Sequence, residues 1–92
     1  MYYTYILYSE VFDKYYIGFT HDLNGRLIAH NHPKNKGYTK KFQPWKIVHS
    51  KSFETKAEAM EYEAYLKSLK SKLALIYISQ RTTEKAQRNT EF

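Results

Sequence analysis

The chain contains no cysteine, which excludes a disulfide framework, a cysteine-based zinc site and a cysteine nucleophile. It has only three glycines and no glycine-rich run, so nothing supports a backbone cradle for nucleotide phosphates. It has only two prolines, both between positions 33 and 44, and that stretch reads as a loop. No run of about 18 apolar residues occurs, so no segment is expected to cross a membrane as a helix. The opening Met1-Tyr2-Tyr3-Thr4-Tyr5 lacks the basic flank and apolar stretch of a secretory signal, and a cytoplasmic location is the expectation. Acidic residues are few, nine against 15 lysines and arginines, leaving a formal charge of +6. There are no internal repeats.

What the chain has in abundance is aromatic surface: ten Tyr, five Phe and one Trp among 92 residues. A chain of this length suits one domain, since domains commonly run to roughly 100–200 residues. It buries only about 60–65% of the surface its unfolded form exposes. Each buried aromatic ring removes about 150–250 Å² from water, so a few large rings compensate for a thin core.

Tyr2 to Ser9 is aromatic and β-branched without Gly or Pro, and reads as a strand with Tyr3, Tyr5 and Leu7 on one face and Thr4, Ile6 and Tyr8 on the other. Both faces are largely apolar, so cover is expected on both sides. Tyr15 to Thr20 is the second strand, joined to the first as an antiparallel hairpin. Asp22 is placed as the N-cap of a helix over 23–31, in which Gly25 costs about 1 kcal/mol relative to Ala. Trp45 to Phe53 reads as a third strand with Trp45, Ile47, His49 and Phe53 on one side. Thr55-Lys56-Ala57-Glu58 is a capping-box sequence opening a helix over about 55–70, whose buried stripe is Ala59, Tyr62, Leu66 and Leu69. A short last helix is expected over 73–78. The fold class is therefore α/β (α+β): a small three-stranded, mainly antiparallel sheet flanked by helices in the order β-β-α-β-α-α. Residues 1–78 form the domain, and 79–92 form a polar, flexible tail.

Charge is unevenly distributed. Between Asp22 and Glu54 stand seven Lys or Arg and no acid, followed by Glu54, Glu58, Glu61 and Glu63. A charge run is commonly a solvated face. Here the basic tract (Lys34, Lys36, Lys40, Lys41, Lys46) carries Tyr38, Phe42 and Trp45 among its lysines, and cations that neutralise phosphates beside rings that stack on bases suggest nucleic acid. The lysines lie in a Pro- and Gly-containing loop rather than on an amphipathic helix, which argues against a membrane surface. Arg26 is the only arginine before Arg81 in a chain with twelve lysines, and a planar guanidinium suits the bidentate grip of a phosphate. His30 lies four residues on, on the same helix face. Gly18 shares a strand face with Tyr16 and leaves room beside its ring. Glu63 borders the buried stripe of its helix, whereas Glu61 points away. His21, His32 and His49 have no metal-like spacing.

Tyr3-Thr4-Tyr5, then Tyr16-Ile17-Gly18, then Arg26 eight residues after that glycine, together resemble the GIY-YIG nuclease superfamily. The segment Y-I-G-F-T-H-D-L-N-G-R-L-I-A-H-N is similar to the family's strand-then-helix unit, and Glu63 in A-M-E-Y-E-A-Y-L-K matches its metal-binding glutamate. The resemblance spans residues 2–78 and is to small stand-alone members, akin to the N-terminal domain of the excinuclease C subunit and to structure-selective nuclease subunits. Tyr3 and Thr4 stand where the family has Gly and Ile. The resemblance implies an endonuclease hydrolysing DNA phosphodiester bonds, structure-selective in repair or recombination, with one divalent cation (Mg²⁺ or Mn²⁺) on Glu63. It also implies that Tyr16 is the base or its hydrogen-bonding agent, that Tyr5 helps place the nucleophile, that Arg26 grips the phosphate and that His30 assists. A free phenol ionises near about pH 10, so base work near neutrality calls for a nearby cation. Gly18, Lys34, Lys36, Tyr38, Lys40, Lys41 and Lys46 are the candidate DNA contacts. RNA is not excluded, and a protein partner or homodimer stays open. Two rivals also stay open: a nucleic-acid-binding module of the same fold with little activity, and an accessory subunit that delivers the fold to a partner.

Overall fold

The computed structural model describes residues 1–80. Strands β1 (Tyr2–Ser9), β2 (Lys14–Thr20) and β3 (Lys46–Phe53) form one antiparallel sheet in the order β2-β1-β3. Helices α1 (Leu23–Asn31) and α2 (Lys56–Ser68) and a helix over 72–80, here α3, accompany it. The element order is β-β-α-β-α-α, as the sequence pattern predicts. The loop between α1 and β3 is more ordered than the sequence suggests, because Tyr38–Phe42 winds into a short 3-10 helix. α3 extends past the expected end at Ile78; Ser79 Oγ donates to Leu75 O at 2.9 Å within it. The expected flexible tail otherwise falls on 81–92, outside the described residues.

β1 is the central strand, and this accounts for its apolar character on both faces. On one face Tyr5 and Leu7 join Trp45 in the core, with Tyr16, Leu23, Leu27, Phe42 and Ile47 packed around them beneath α1 and the 3-10 helix. On the other, Thr4 and Ile6 are fully buried under α2, which contributes Ala59 and Leu66. Thr4 is satisfied there, its hydroxyl donating to Ala59 O at 2.6 Å. The hairpin between β1 and β2 turns through Asp13, which adopts a left-handed φ of 53°, a region Asp enters more readily than most residues. Its carboxylate accepts from the Tyr8 hydroxyl at 2.9 Å and pairs with Lys72.

Both long helices start as their sequences indicate. Asp22 accepts from Gly25 N at 3.0 Å, and Thr55 and Glu58 form a reciprocal capping box. Gly25 looks costly in a helix, yet an added Cβ would collide with the Asp22 carboxylate. Glycine at that position keeps the cap open.

Strict alternation along β3 fails. Ile6 pairs with His49 while the next residue, Leu7, pairs with Ile47. Val48 is therefore an extra residue, and the resulting bulge reverses the faces beyond it. Trp45 and Ile47 face α1, whereas His49 and Phe53 face α2, where both rings meet Tyr62. The expected single face of Trp45, Ile47, His49 and Phe53 is thus split in two.

Candidate active site

Tyr5 and Gly18 are direct partners across β1 and β2, and Tyr16 stands two residues along β2 on the same face. The glycine is required by the phenol: a Cβ at position 18 would lie 2.6 Å from Tyr5 Oη and 2.8 Å from its Cζ. The Tyr5 ring consequently lies flat over the β2 backbone. α1 then sets Arg26 and His30 above this face, one turn apart. His30 sits against both tyrosines, with ring centroids 6.1 Å from Tyr5 and 5.0 Å from Tyr16. Its Nε2 lies 3.0 Å from Tyr5 Oη and its Nδ1 2.9 Å from Thr39 Oγ1.

Glu63 arrives from α2, on the opposite face of the sheet. A pocket of about 460 Å³ wraps the edge strand β2 and is lined by Tyr5, Tyr16, Gly18, Arg26 and Glu63 together with the imidazole of His21. Of the three glutamates on this helix, Glu63 alone lines the pocket: Glu61 is exposed and Glu58 is engaged in the cap. The Glu63 side chain is 19% exposed, and its carboxylate is 3.6 Å from Lys67 Nζ on the next turn.

Burial pushes the Tyr5 phenol well above its ordinary range, the neighbouring Tyr16 and Glu63 push the same way, and Arg26 opposes them. Tyr5 therefore stays a neutral hydroxyl and cannot serve as a base. Burial, reinforced by Arg26, lowers the pKa of His30 from its usual value, so His30 is neutral near pH 7. A neutral imidazole offers one donor and one acceptor.

Two further concavities meet the pocket at Tyr16. One, of about 210 Å³, is lined by Arg26, His30, Asn35, Tyr38 and Thr39. The other, of about 500 Å³, runs between β2, the end of α2 and the start of α3, and is lined by Lys14, Lys67, Lys70 and Lys72 with Asp13. The lysines singled out in the sequence lie elsewhere. Lys34, Lys36, Lys40, Lys41 and Lys46 are all exposed, and none lines any of these three concavities. Lys40 Nζ donates to Pro33 O at 2.6 Å, and Lys46 lies 3.5 Å from Glu10. Tyr38 is exposed and tilted against Phe42 (centroids 5.1 Å), Phe12 meets Phe42 edge to face (5.5 Å), and Lys14 lies over Phe42, so the three rings form one row.

Sequence reasoning missed the groove lysines and the pair Asn35 and Thr39. The groove draws on positions 14, 67, 70 and 72, which no local pattern connects. Asn35 and Thr39 carry one signal in the sequence, their place in the basic loop, where charge rather than hydrogen bonding is the visible pattern.

Among the described residues no group of three or more His, Asp or Glu is clustered to cage a metal ion. The donor set suits a different arrangement. Magnesium takes hard oxygen ligands, keeps several waters and uses only one or two protein carboxylates. A single Glu63 facing an open pocket is compatible with that.

A three-stranded antiparallel sheet bearing two tyrosines, an arginine from the following helix and a glutamate from a later one make up a small α+β domain. A model of the GIY-YIG catalytic domain matches residues 1–86, and the chain belongs to the GIY-YIG family. Similar proteins include the UPF0213 protein YazA of Bacillus subtilis (strain 168), 38% identical over 73 residues covering 79% of this chain and 74% of that one. The UPF0213 protein lin0209 of Listeria innocua is 39% identical over 72 residues, covering 78% and 80%. The solution NMR structure of the UPF0213 protein BH0048 from Bacillus halodurans aligns with a TM-score of 0.52 at 31% identity, covering 87% of this chain and 85% of that one. The family is one of nucleases, so nucleic acid is the implied class of partner. No helix among the described residues is long and apolar enough to cross a membrane.

Proposed function

We propose that this chain is a metal-dependent endonuclease that hydrolyses DNA phosphodiester bonds. The observation that carries this reading is the convergence of Tyr5, Tyr16, Arg26 and Glu63, from four separate elements, on one pocket of about 460 Å³. Phosphodiester hydrolysis needs charge placed against the phosphoryl oxygens, an activated water and a stabilised leaving oxygen. Arg26 supplies the planar cation for the phosphate. Tyr5 acts as a hydrogen-bond donor, and Tyr16, at the position of the family's second motif, is the phenol that orients the attacking water or takes its proton. Gly18 seats the Tyr5 ring across β2, where it lines the pocket beside Tyr16. Glu63 would hold one Mg²⁺ or Mn²⁺, and such an ion, when bound, neutralises negative charge on the reacting phosphate. The strand on either side of the scissile bond lies along the lysine groove and against the Tyr38–Phe42–Phe12 row, whose rings suit stacking on bases.

The test is cleavage of branched, flapped and linear DNA with Mg²⁺, with Mn²⁺ and with a chelator, beside Mn²⁺ titration calorimetry. Tyr16→Phe and Glu63→Gln should each abolish cleavage while the thermal unfolding midpoint changes little. Glu63→Gln should also lose Mn²⁺ binding, and Glu61→Gln should retain both activities. Cleavage that survives Tyr16→Phe and Glu63→Gln overturns the reading. DNA binding by a wild-type chain that cleaves none of these substrates would make it a binding module instead.

A further inference from the structure

We infer that Asn35 and Thr39 are positioning residues that hold His30 in one tautomer and thereby aim the Tyr5 O–H into the pocket as a hydrogen-bond donor to an anionic oxygen. The identity of that oxygen as a substrate phosphoryl oxygen rests on the function proposed above; the direction of the relay does not.

The direction follows from donor counting, starting at a group that can only donate. Gly37 N donates to Asn35 Oδ1 at 2.8 Å. This fixes which end of the Asn35 amide is oxygen, so its nitrogen faces the other way. Both hydrogens on that nitrogen are used, one to His30 O at 3.0 Å and one to Thr39 Oγ1 at 2.8 Å. Thr39 is 4% exposed and His30 is 8% exposed. The Thr39 hydroxyl therefore accepts from Asn35 and has one hydrogen of its own to place on an acceptor. The ring nitrogen Nδ1 of His30, 2.9 Å away, is that acceptor.

The imidazole is neutral, so an accepting Nδ1 leaves Nε2 carrying the proton. Nε2–H then donates to Tyr5 Oη at 3.0 Å. With its oxygen engaged by His30, the Tyr5 O–H has no role in that bond and turns toward the pocket shared with Tyr16, Arg26 and Glu63. The opposite tautomer would point two hydrogens, from Asn35 and His30, at Thr39 Oγ1 and leave the Thr39 hydroxyl hydrogen without a protein acceptor; in the Nε2–H tautomer the hydrogen left without one is that of Tyr5, which lines the pocket of about 460 Å³ and meets its acceptor there. The opposite tautomer would also turn the Tyr5 O–H back onto His30, away from substrate. The relay is anchored at both ends. Trp45 Nε1 donates to Thr39 O at 2.7 Å and Gln43 Nε2 to His30 O at 2.7 Å, which ties the loop to α1.

The experiment is ¹⁵N correlation spectroscopy of the histidine rings in the full chain at pH 8, without substrate. His30 should appear as the Nε2–H tautomer with a bare Nδ1. Thr39→Val keeps the shape and removes the hydroxyl; it should abolish the preference for Nε2–H, and Thr39→Ser should restore it. In cleavage assays Thr39→Val should lower kcat by tenfold or more with KM little changed, with recovery in Thr39→Ser. A wild-type His30 found as Nδ1–H, or one whose tautomer is unaffected by Thr39→Val, overturns the relay. Should Thr39→Val fail to fold, the wild-type spectrum still decides. The two proposals fail separately: an inactive wild type with Nε2–H at His30 counts against the nuclease reading alone, and an active one with Nδ1–H counts against the relay alone.

Discussion

Gly18→Ala puts the geometry of the site to a quantitative test. The new Cβ would stand 2.6 Å from Tyr5 Oη, 2.8 Å from Cζ and 3.3 Å from Cε2, all inside ordinary van der Waals separation. Tyr5 cannot swing clear, because it is 2% exposed and its hydroxyl is bonded to His30. Overpacking of this kind costs about 1–3 kcal/mol. Breaking the bond to His30 adds about 0.5–1.5 kcal/mol. Replacing a strand glycine by alanine returns about 0.5–1 kcal/mol. The net is a loss of about 2 kcal/mol, and at about 4–8 °C per kcal/mol for a domain of this size the unfolding midpoint should fall by about 8–16 °C. Calorimetry on four chains completes the assay: wild type, Gly18→Ala, Tyr5→Phe and the double variant. Tyr5→Phe removes the nearest clashing atom, so the two changes should couple by about 0.5–3 kcal/mol, the alanine costing less beside phenylalanine. A Gly18→Ala chain as stable as wild type, or a cycle with no coupling, would refute the account of how Tyr5 is seated.

Acid should destabilise the fold through its buried histidines. Burial lowers the pKa of His30 and His49, with Arg26 and Lys51 adding to the effect; both bind protons more readily when unfolded, so their contribution is complete above about pH 6.5 and is lost as pH falls through their lower folded values. The double variant His30→Gln/His49→Gln should unfold at a midpoint that varies less between pH 7 and pH 5 than that of wild type, and an unchanged pH dependence contradicts the assignment. Binding to DNA should weaken with salt, and Lys67→Gln/Lys70→Gln should reduce the log–log slope by about 1.8, at about 0.9 per duplex phosphate contact. A slope that stays the same removes the groove from the binding path.

The elements themselves were legible because their causes are local. The β1 pattern of large apolar residues on both faces indicates cover on both sides, and the caps at Asp22 and Thr55 are satisfied by residues three positions on. The phase of Glu63 on α2 follows from helix geometry alone, and so does the exclusion of Glu61 from the pocket. The resemblance of Tyr5, Tyr16, Gly18 and Arg26 to the family's motif pointed to the candidate site, and a hairpin with the helix after it brings those positions together.

Tertiary structure decided the rest. The Val48 bulge exists only in the pairing of β3 with β1, and it reversed the faces that alternation along β3 implies. Lysines 14, 67, 70 and 72 become one groove only when α2 and α3 settle beside the edge strand, so their charge was invisible as a cluster while the contiguous loop lysines drew attention. The order in the loop comes from hydrogen bonds to α1 and from the Trp45 clamp. A sequence reports composition and period; it does not report which donor a distant acceptor will meet, and that pairing is what sets the direction of the chain from Asn35 through Thr39 and His30 to Tyr5.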